Sequence, residues 1–494
     1  MASASPVRFG TPPGRWVLLA TVGGSAMAML DSTVVNVALP SIGKDLGATV
    51  AGLQWVLTGY LLPLSALLLI GGSLGDRFGR RRIFVVGVVW FAASSLLCAV
   101  APTLNVLIAA RLLQGAGGAL LVPGSLALIE ATFAPDDRGR AIGAWTGLGG
   151  VASAIGPLVG GWLVAAVSWR LIFVINLPVA LVVLVAARHV PDSRRSGAGH
   201  IDVAGAILVV LGLAGATYAL IEGPGGQSAT GLWVGAGIIG AVALVAFFVV
   251  EARRKDPMLP LRFFRSRQFS AANIVTFLVY GALGGVLFLL TVDLQQVLGY
   301  SALAAGASLL PVTLIMLGLS SRAGQLSQRI GPRLPMSLGP LVMALGLVLM
   351  VRITPTSAYV ADVLPAVVVF ALGLALTVAP LTTTALGALD DQFAGTASGV
   401  NNAVARLASL LAVAVLPALS GLTGTAYRVP EEFSSGFHTS VLIGAGMCAA
   451  GALVALVGIT NPTLAASGPP PAGLVPHSCP LDAPVLRGAH PGHR

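Results

Sequence analysis

Stretches of about 20 apolar residues recur along this chain, and a run of that length is the one a bilayer core demands of a helix that crosses it. They fall near residues 16–38, 53–73, 83–101, 104–128, 141–165, 171–188, 203–221 and 231–250, and again near 270–292, 302–321, 334–353, 359–382, 395–420 and 438–460. Only 9% of the residues are charged, against about 25% in a soluble domain. So few charges cannot cover a water-facing surface. The sequence therefore predicts an all-α integral membrane protein with about 14 transmembrane helices. The first run is expected to stay in the protein rather than be cleaved as a signal peptide. It is longer than a signal core, holds Asp31 mid-run and lacks a small-residue cleavage pattern.

The basic residues set the orientation. With the N-terminus inside, only Lys44, Arg170, Arg352 and Arg428 fall in outer loops, and Arg111 and Arg406 fall within spans. The other Lys and Arg gather on the inner side, as cytoplasmic loops do. An odd number of missed spans would scramble that split, so it supports an even count with both termini cytoplasmic. The net charge of +10 is then topological. It flanks hydrophobic runs and forms no single patch, so no nucleic acid is expected as a partner. Trp55, Trp169 and Trp233 fall at outer ends and suit either an interfacial belt or helix packing. Cys98, Cys448 and Cys479, with six histidines at loop or tail positions, show no metal-ligand spacing. No metal and no cofactor are expected. The Pro- and Gly-rich segment 461–494 reads as a disordered cytoplasmic tail.

A repeat divides the chain. Gly72, Leu74, Arg77, Gly79 and Arg81, after the second span, match Gly324, Leu326, Arg329, Gly331 and Arg333, after the tenth, each 252 positions on. A parallel two-half architecture leaves such a mark. The expected organisation is a cytoplasmic segment 1–14, a six-helix half 15–200, two linking helices 201–250, a basic loop 251–268, a second six-helix half 269–460 and the tail.

The loop Gly72-Ser-Leu-Gly-Asp-Arg-Phe-Gly-Arg-Arg-Arg82 has a physical logic. Gly72 and Gly79 would permit a tight turn, and Asp76 would sit just before the third helix and meet its N-terminal dipole. Arg77, Arg80 and Arg81 belong to the same basic cluster. The full pattern closely resembles the loop signature of the major facilitator superfamily, where it acts as a conformational latch. The second copy, with Gln328 in place of the acid, is expected to latch more weakly. Leu30-Asp-Ser-Thr-Val-Val-Asn-Val-Ala-Leu-Pro40 resembles the first-span signature of the fourteen-span drug:proton antiporters. Leu107-Ile-Ala-Ala-Arg-Leu-Leu-Gln-Gly-Ala-Gly117 resembles a fourth-span motif whose Arg is implicated in proton coupling. Gly156-Pro-Leu-Val-Gly-Gly161, with Gly156, Pro157, Gly160 and Gly161, resembles a fifth-span motif of exporters, although Ala152 stands where that motif begins with Gly. Ser168-Trp-Arg-Leu-Ile-Phe-Val-Ile-Asn-Leu-Pro178 resembles the link into the sixth span. Gly156 and Gly160 also form a small-residue face suited to close helix packing.

Charges inside a membrane are costly and mark function by default. Asp31 lies roughly 24 Å from the inner end of its span and Arg111 roughly 12 Å from the outer end of its own, at 1.5 Å per residue. These depths nearly coincide, so a pair is expected if the two helices face each other. Asp31, Ser32 and Asn36 lie within an arc of about 140°, a polar stripe read as a cavity face or as helix–helix hydrogen bonding. Gln114 and Arg406 are further cavity candidates, the latter with no evident acidic partner. Glu222 and Asp293 fall at outer ends and are read as solvated, Asp293 with the alternative of attracting cationic substrates.

The resemblance implies a monomeric, proton-coupled antiporter in a bacterial cytoplasmic membrane. It would export small amphiphilic drugs or antibiotics and confer resistance, with Asp31 and Arg111 coupling the protons. A proton-coupled uptake carrier for a metabolite is the alternative, opposed by the fifth-span motif. An integral membrane enzyme is a remoter one, because no nucleophile elbow, phosphate loop or metal cluster is evident.

Overall fold

Threonines and serines open many of the helices. In the computed structural model, Thr11, Thr49, Thr103, Ser266 and Ser301 each accept a hydrogen bond from a backbone N–H of the first turn that follows. Such caps satisfy donors that a helix end otherwise leaves bare. The structure describes residues 7–194, 202–225, 230–254, 257–390, 393–423 and 429–461. Seven helix segments and then a hairpin come first: α1 Pro12–Leu46, α2 Val50–Phe78, α3 Arg80–Ala99, α4 Leu104–Thr132, α5 Pro135–Ala166, α6 Leu171–Val174, α7 Asn176–Ala187, α8 Val203–Gly225 and α9 Thr230–Arg253. The remainder is α10 Arg267–Gln296, α11 Ala302–Ser308, α12 Leu310–Ile330, α13 Arg333–Met350, α14 Leu364–Gly387, α15 Ala394–Leu419 and α16 Pro430–Gly458. The expected tail, and the charges assigned to Arg195, Lys255 and Arg428, lie outside the described residues.

Among the described residues, 13 helices are long and apolar enough to cross a membrane, and Leu171–Ala187 is a shorter apolar one. This is a multi-pass membrane protein. Two expected spans are broken. The sixth divides at Ile175 into α6 and α7, just before Pro178, and the tenth divides at Leu309, just before Pro311. Proline lacks the N–H that would continue the ladder. The first helix outruns its apolar stretch and stops at Gly47, whose φ of +64° suits a residue without Cβ. The basic loop is shorter than expected, since α9 runs to Arg253 and a 3-10 turn fills Leu261–Arg265.

Large apolar side chains stay exposed on the outer faces, among them Trp162, Leu181, Ile238, Val242, Val245 and Leu453. Water would make such a surface an aggregation hazard, whereas lipid tails solvate it. Successive crossings gather most arginines at one end of the bundle, here the basic end. At the far end, Asp45 holds Arg170 at 2.7 Å and accepts from Trp169 Nε1 at 2.9 Å, so Trp169 is a buried packing residue.

Helices α1 to α7 pack on one another, α2 and α3 against α4 and α1 against α5 and α7. Helices α10 to α16 do likewise, α10 against α15 and α16, and α13 against α14 and α16. The α8–α9 hairpin lies across the seam between these halves. Leu213 of α8 shares a buried cluster with Leu62 and Ala66 of α2 and with Leu410 of α15. Trp55 Nε1 of α2 donates to Glu222 of α8 at 2.9 Å, so Glu222 is a half-buried tether rather than a free solvated charge.

Candidate functional site

Asp31 and Arg111 meet. Arg111 Nη1 donates to Asp31 Oδ2 at 2.5 Å and to Gln114 Oε1 at 2.6 Å, and its Nε donates to the Val56 carbonyl at 3.1 Å. Gln114 Nε2 donates to Asp31 Oδ1 at 2.8 Å and to Ser95 Oγ at 2.8 Å. Asn176 Nδ2 of α7 donates to Ser95 Oγ at 2.9 Å and to Asp31 Oδ1 at 3.3 Å. The guanidinium stacks on the Tyr60 ring, 4.4 Å from its centroid. Asp31 and Arg111 are each only 1% exposed. A buried ion pair endures only where its remaining lone pairs and protons are also satisfied. Here the hydrogen bonds to the carboxylate all come from donors on α4 and α7.

The polar stripe divides. Asp31 and Gln114, expected to face a cavity, are buried inside the first half. Ser32 Oγ donates to the Met29 carbonyl and Asn36 Nδ2 to the Ser32 carbonyl, both half-buried on their own helix. Helical rotation of about 100° per residue turns Ser32 away from Asp31. Asn36 Oδ1 and Tyr60 Oη are buried without partners. Arg406 is half-buried, and its field reaches the phenols of Tyr60 and Tyr280. Asp293 is not solvated. It is 1% exposed, and neither carboxylate oxygen has a hydrogen-bond partner.

The loop motif folds differently from the expectation. Gly72 and Asp76 lie within α2, which runs to Phe78, so only Gly79 makes the turn, at a φ of +111°. Asp76 Oδ1 binds Arg80 at 2.8 Å instead of serving the next helix. That helix start is served by Asp192, beyond α7. Asp192 accepts from Arg81 N at 3.2 Å and pairs with Arg82 at 3.3 Å. A Cβ on Gly79 would come within 2.7 Å of the Asp192 carboxylate. Arg80 Nη1 also donates to the Ala127 carbonyl of α4 and Arg81 Nη1 to the Val190 carbonyl, while Arg77 is exposed and lies over Phe78. In the second copy Gly331 repeats the left-handed turn, at +86°.

The fifth-span glycines lie on two seams. A Cβ on Gly156 would strike Thr33, and one on Gly160 would come within 2.7 Å of Val34, so this face of α5 packs on α1. One on Gly161 would come within 2.6 Å of the Ala302 carbonyl, and Gly306 lies directly on the Pro157 carbonyl, so another face packs on α11 in the other half. That second stripe continues to Gly150, facing Leu317, and then loses contact, since Gly143 and Gly147 face open space. The far end is joined elsewhere too. Gln54 Nε2 donates to the Val413 and Ala414 carbonyls at 2.7 and 3.1 Å, and Gln295 Nε2 donates to the Val37 carbonyl at 3.0 Å. The two halves are therefore joined at the far end by side-chain hydrogen bonds as well as by the α5–α11 seam.

Residue-by-residue reading missed Ser95, Tyr60, Asn176 and Asp192. Asn176 carried a signal, as a lone amide in the apolar run before Pro178. Ser95 and Tyr60 carried none, being residue types common in any span.

Known proteins bear on this geometry. The chain is 36% identical over 482 residues to the puromycin resistance protein pur8 of Streptomyces alboniger, covering 94% of this chain and 96% of that protein. It is 34% identical to the methylenomycin A resistance protein of Bacillus subtilis, covering 83% and 88%. The tetracenomycin C resistance and export protein of Streptomyces glaucescens is 36% identical, covering 81% and 75%. Among solved structures, a peptide transporter POT in complex with sulfate superposes with a TM-score of 0.65 at 18% identity, covering 91% of this chain and 94% of that one. A D-xylose-proton symporter superposes at 0.64 and 17%, covering 90% and 97%. These two speak to the fold alone. The family pattern described as Major Facilitator Superfamily matches residues 21–413, and the chain belongs to that family.

Proposed function

We propose that this transporter exports amphiphilic antibiotics or drugs across a bacterial cytoplasmic membrane in exchange for protons, and that it confers resistance. The observation that carries the proposal is the buried Asp31–Arg111–Gln114 network, an ionisable centre tying α1 to α4 where alternating access requires helices to move. The names of the resistance and export relatives support the direction, as does the seating of Gly156, Pro157, Gly160 and Gly161 between α1 and α11. The basic end faces the cytoplasm, so the end at which glutamines join the halves faces outward. Opening outward must break the Gln54 and Gln295 bonds and part α5 from α11. Protonation of Asp31 biases that exchange, and the Asp76–Arg80 and Asp192 contacts latch the cytoplasmic ends of α2, α3 and α7. Ser32, Asn36 and Arg406 line the substrate path, and the protein works as a monomer.

The test is puromycin accumulation in an efflux-deficient bacterial host, with and without a protonophore. The parent should keep cells low in puromycin until the protonophore is added. Asp31→Asn should insert normally yet leave accumulation at the level of the empty host. Export that survives the protonophore, or an Asp31→Asn variant with parental export, would sink the proton-coupled reading.

A further inference from the structure

The basic end of the α8–α9 hairpin holds two carboxyls that the transport centre does not use. Asp202 stands just before α8, and Glu251 lies in the last turn of α9. Both are buried, at 5% and 2% exposure. Each has one oxygen occupied. Asp202 Oδ1 accepts from Gly205 N at 2.6 Å and from Arg254 Nη1 at 2.7 Å, and Glu251 Oε2 accepts from Leu259 N at 2.7 Å. The other two oxygens, Asp202 Oδ2 and Glu251 Oε1, are buried, and no N–H or hydroxyl reaches them. Arg254, three residues after Glu251, holds Asp202 at the end of α9, so the two unpartnered carboxyl oxygens belong to one buried cluster.

An ionised carboxylate only accepts hydrogen bonds, so two neighbouring carboxyls can bond to each other only through a proton between them. The local charges agree. With one proton the pair carries a single negative charge, which Arg254 offsets. With none, two negative charges would face one positive charge in a buried site, an arrangement that costs heavily. Asp202 from the start of α8 and Arg254 from the end of α9 are the charged groups whose fields act on Glu251 among the described residues.

We propose that Asp202 and Glu251 form a proton-binding site at the basic end of the linking hairpin. The shared proton fastens α8 to α9 and, through the Glu251–Leu259 bond, to the segment that leads into α10. The position gives the clasp a consequence. Helix α8 touches both halves through Leu213, so whatever holds its basic end also steadies the strap across their seam. Losing the proton leaves two carboxylates repelling each other, and the segment 257–265 detaches from α9.

The experiment is hydrogen–deuterium exchange of residues 257–265 in the full-length protein in nanodiscs, at about pH 6 and about pH 9, corrected for intrinsic exchange. The parent should lose protection about tenfold or more at the higher pH. Glu251→Gln keeps a donor for Asp202 Oδ2 and should retain protection at both values. Asp202→Asn, which can donate to Glu251 Oε1, should also flatten the profile, so the result does not hang on one variant folding. A parent profile flat with pH, or one shared unchanged by both variants, would overturn the proposal. Protection restored to the parent at high pH by millimolar Mg2+ or Ca2+ would place a metal cation between the carboxyls and overturn it as well.

Discussion

In the first half, the centre of the bundle holds a polar network: Asp31, Arg111, Gln114, Ser95 and Asn176 share one set of bonds across four helices. In the second half the same places are apolar. At the repeat spacing of 252 residues, Leu283 stands in place of Asp31 and Val363 in place of Arg111, and both pack in the hydrophobic core. That half keeps its interior amides elsewhere, with Asn401 of α15 donating to Thr276 of α10 at 2.7 Å. Its buried acid, Asp293, accepts nothing. Two halves built on one plan have thus separated their duties. One holds a buried ion pair, and the other is apolar at the matching positions.

Four substitutions break or sharpen this contrast. Removing the guanidinium has the largest effect. Arg111→Ala leaves Asp31 buried without its partner and should cost about 3–5 kcal/mol, read as a fall in the thermal midpoint in detergent. The double change Asp31→Asn with Arg111→Gln should regain most of that stability but no transport. A single Arg111→Ala variant as stable as the parent would erase the difference between the halves. The latch comes next. Gly79→Ala combines a left-handed backbone with a Cβ pressed on Asp192, and about 1–3 kcal/mol should be lost. The loss should shrink when Asp192→Ala is added, because the carboxylate contact is then gone.

Asp293→Leu should act in the opposite sense to any change at Asp31. It removes a buried carboxyl that has no hydrogen-bond partner, so the midpoint should rise, by on the order of 1 kcal/mol. A lowered midpoint would show that Asp293 has a structural role its surroundings do not reveal. The smallest effect is expected at the far end. Gln54→Leu removes two bonds between the halves and should shift the balance towards outward opening by about 0.5–1.5 kcal/mol, roughly two- to tenfold in population. Spin labels placed across that end would report the change as a longer distance component.

Some of this was legible before any coordinates. The Asp31–Arg111 pair followed from two opposite charges at one depth, because depth along a helix is a simple count of residues. The two linking helices followed from the position of the repeat. Asp293 lies near a helix end, where the sequence predicts a solvated charge. Its burial comes from helices packed around it, which no local pattern encodes. The loop motif predicts Asp76 at the start of α3, since the motif does not say where the preceding helix stops. Asp192 lies more than 100 residues from Arg81, so the clasp it completes cannot be read from spacing.

Length, hydrophobicity and charge placement were enough to determine that the chain is a multi-pass, all-helical membrane protein, because a bilayer tests each segment by itself. The same holds for the repeat and for the cost of every charge within a span. Which polar groups meet was decided only by tertiary packing. Each helix turns by about 100° per residue, so a small rotation selects a different neighbour. That choice sent Asp31 into a bonded network, left Asp293 unpartnered, and set Asp202 against Glu251.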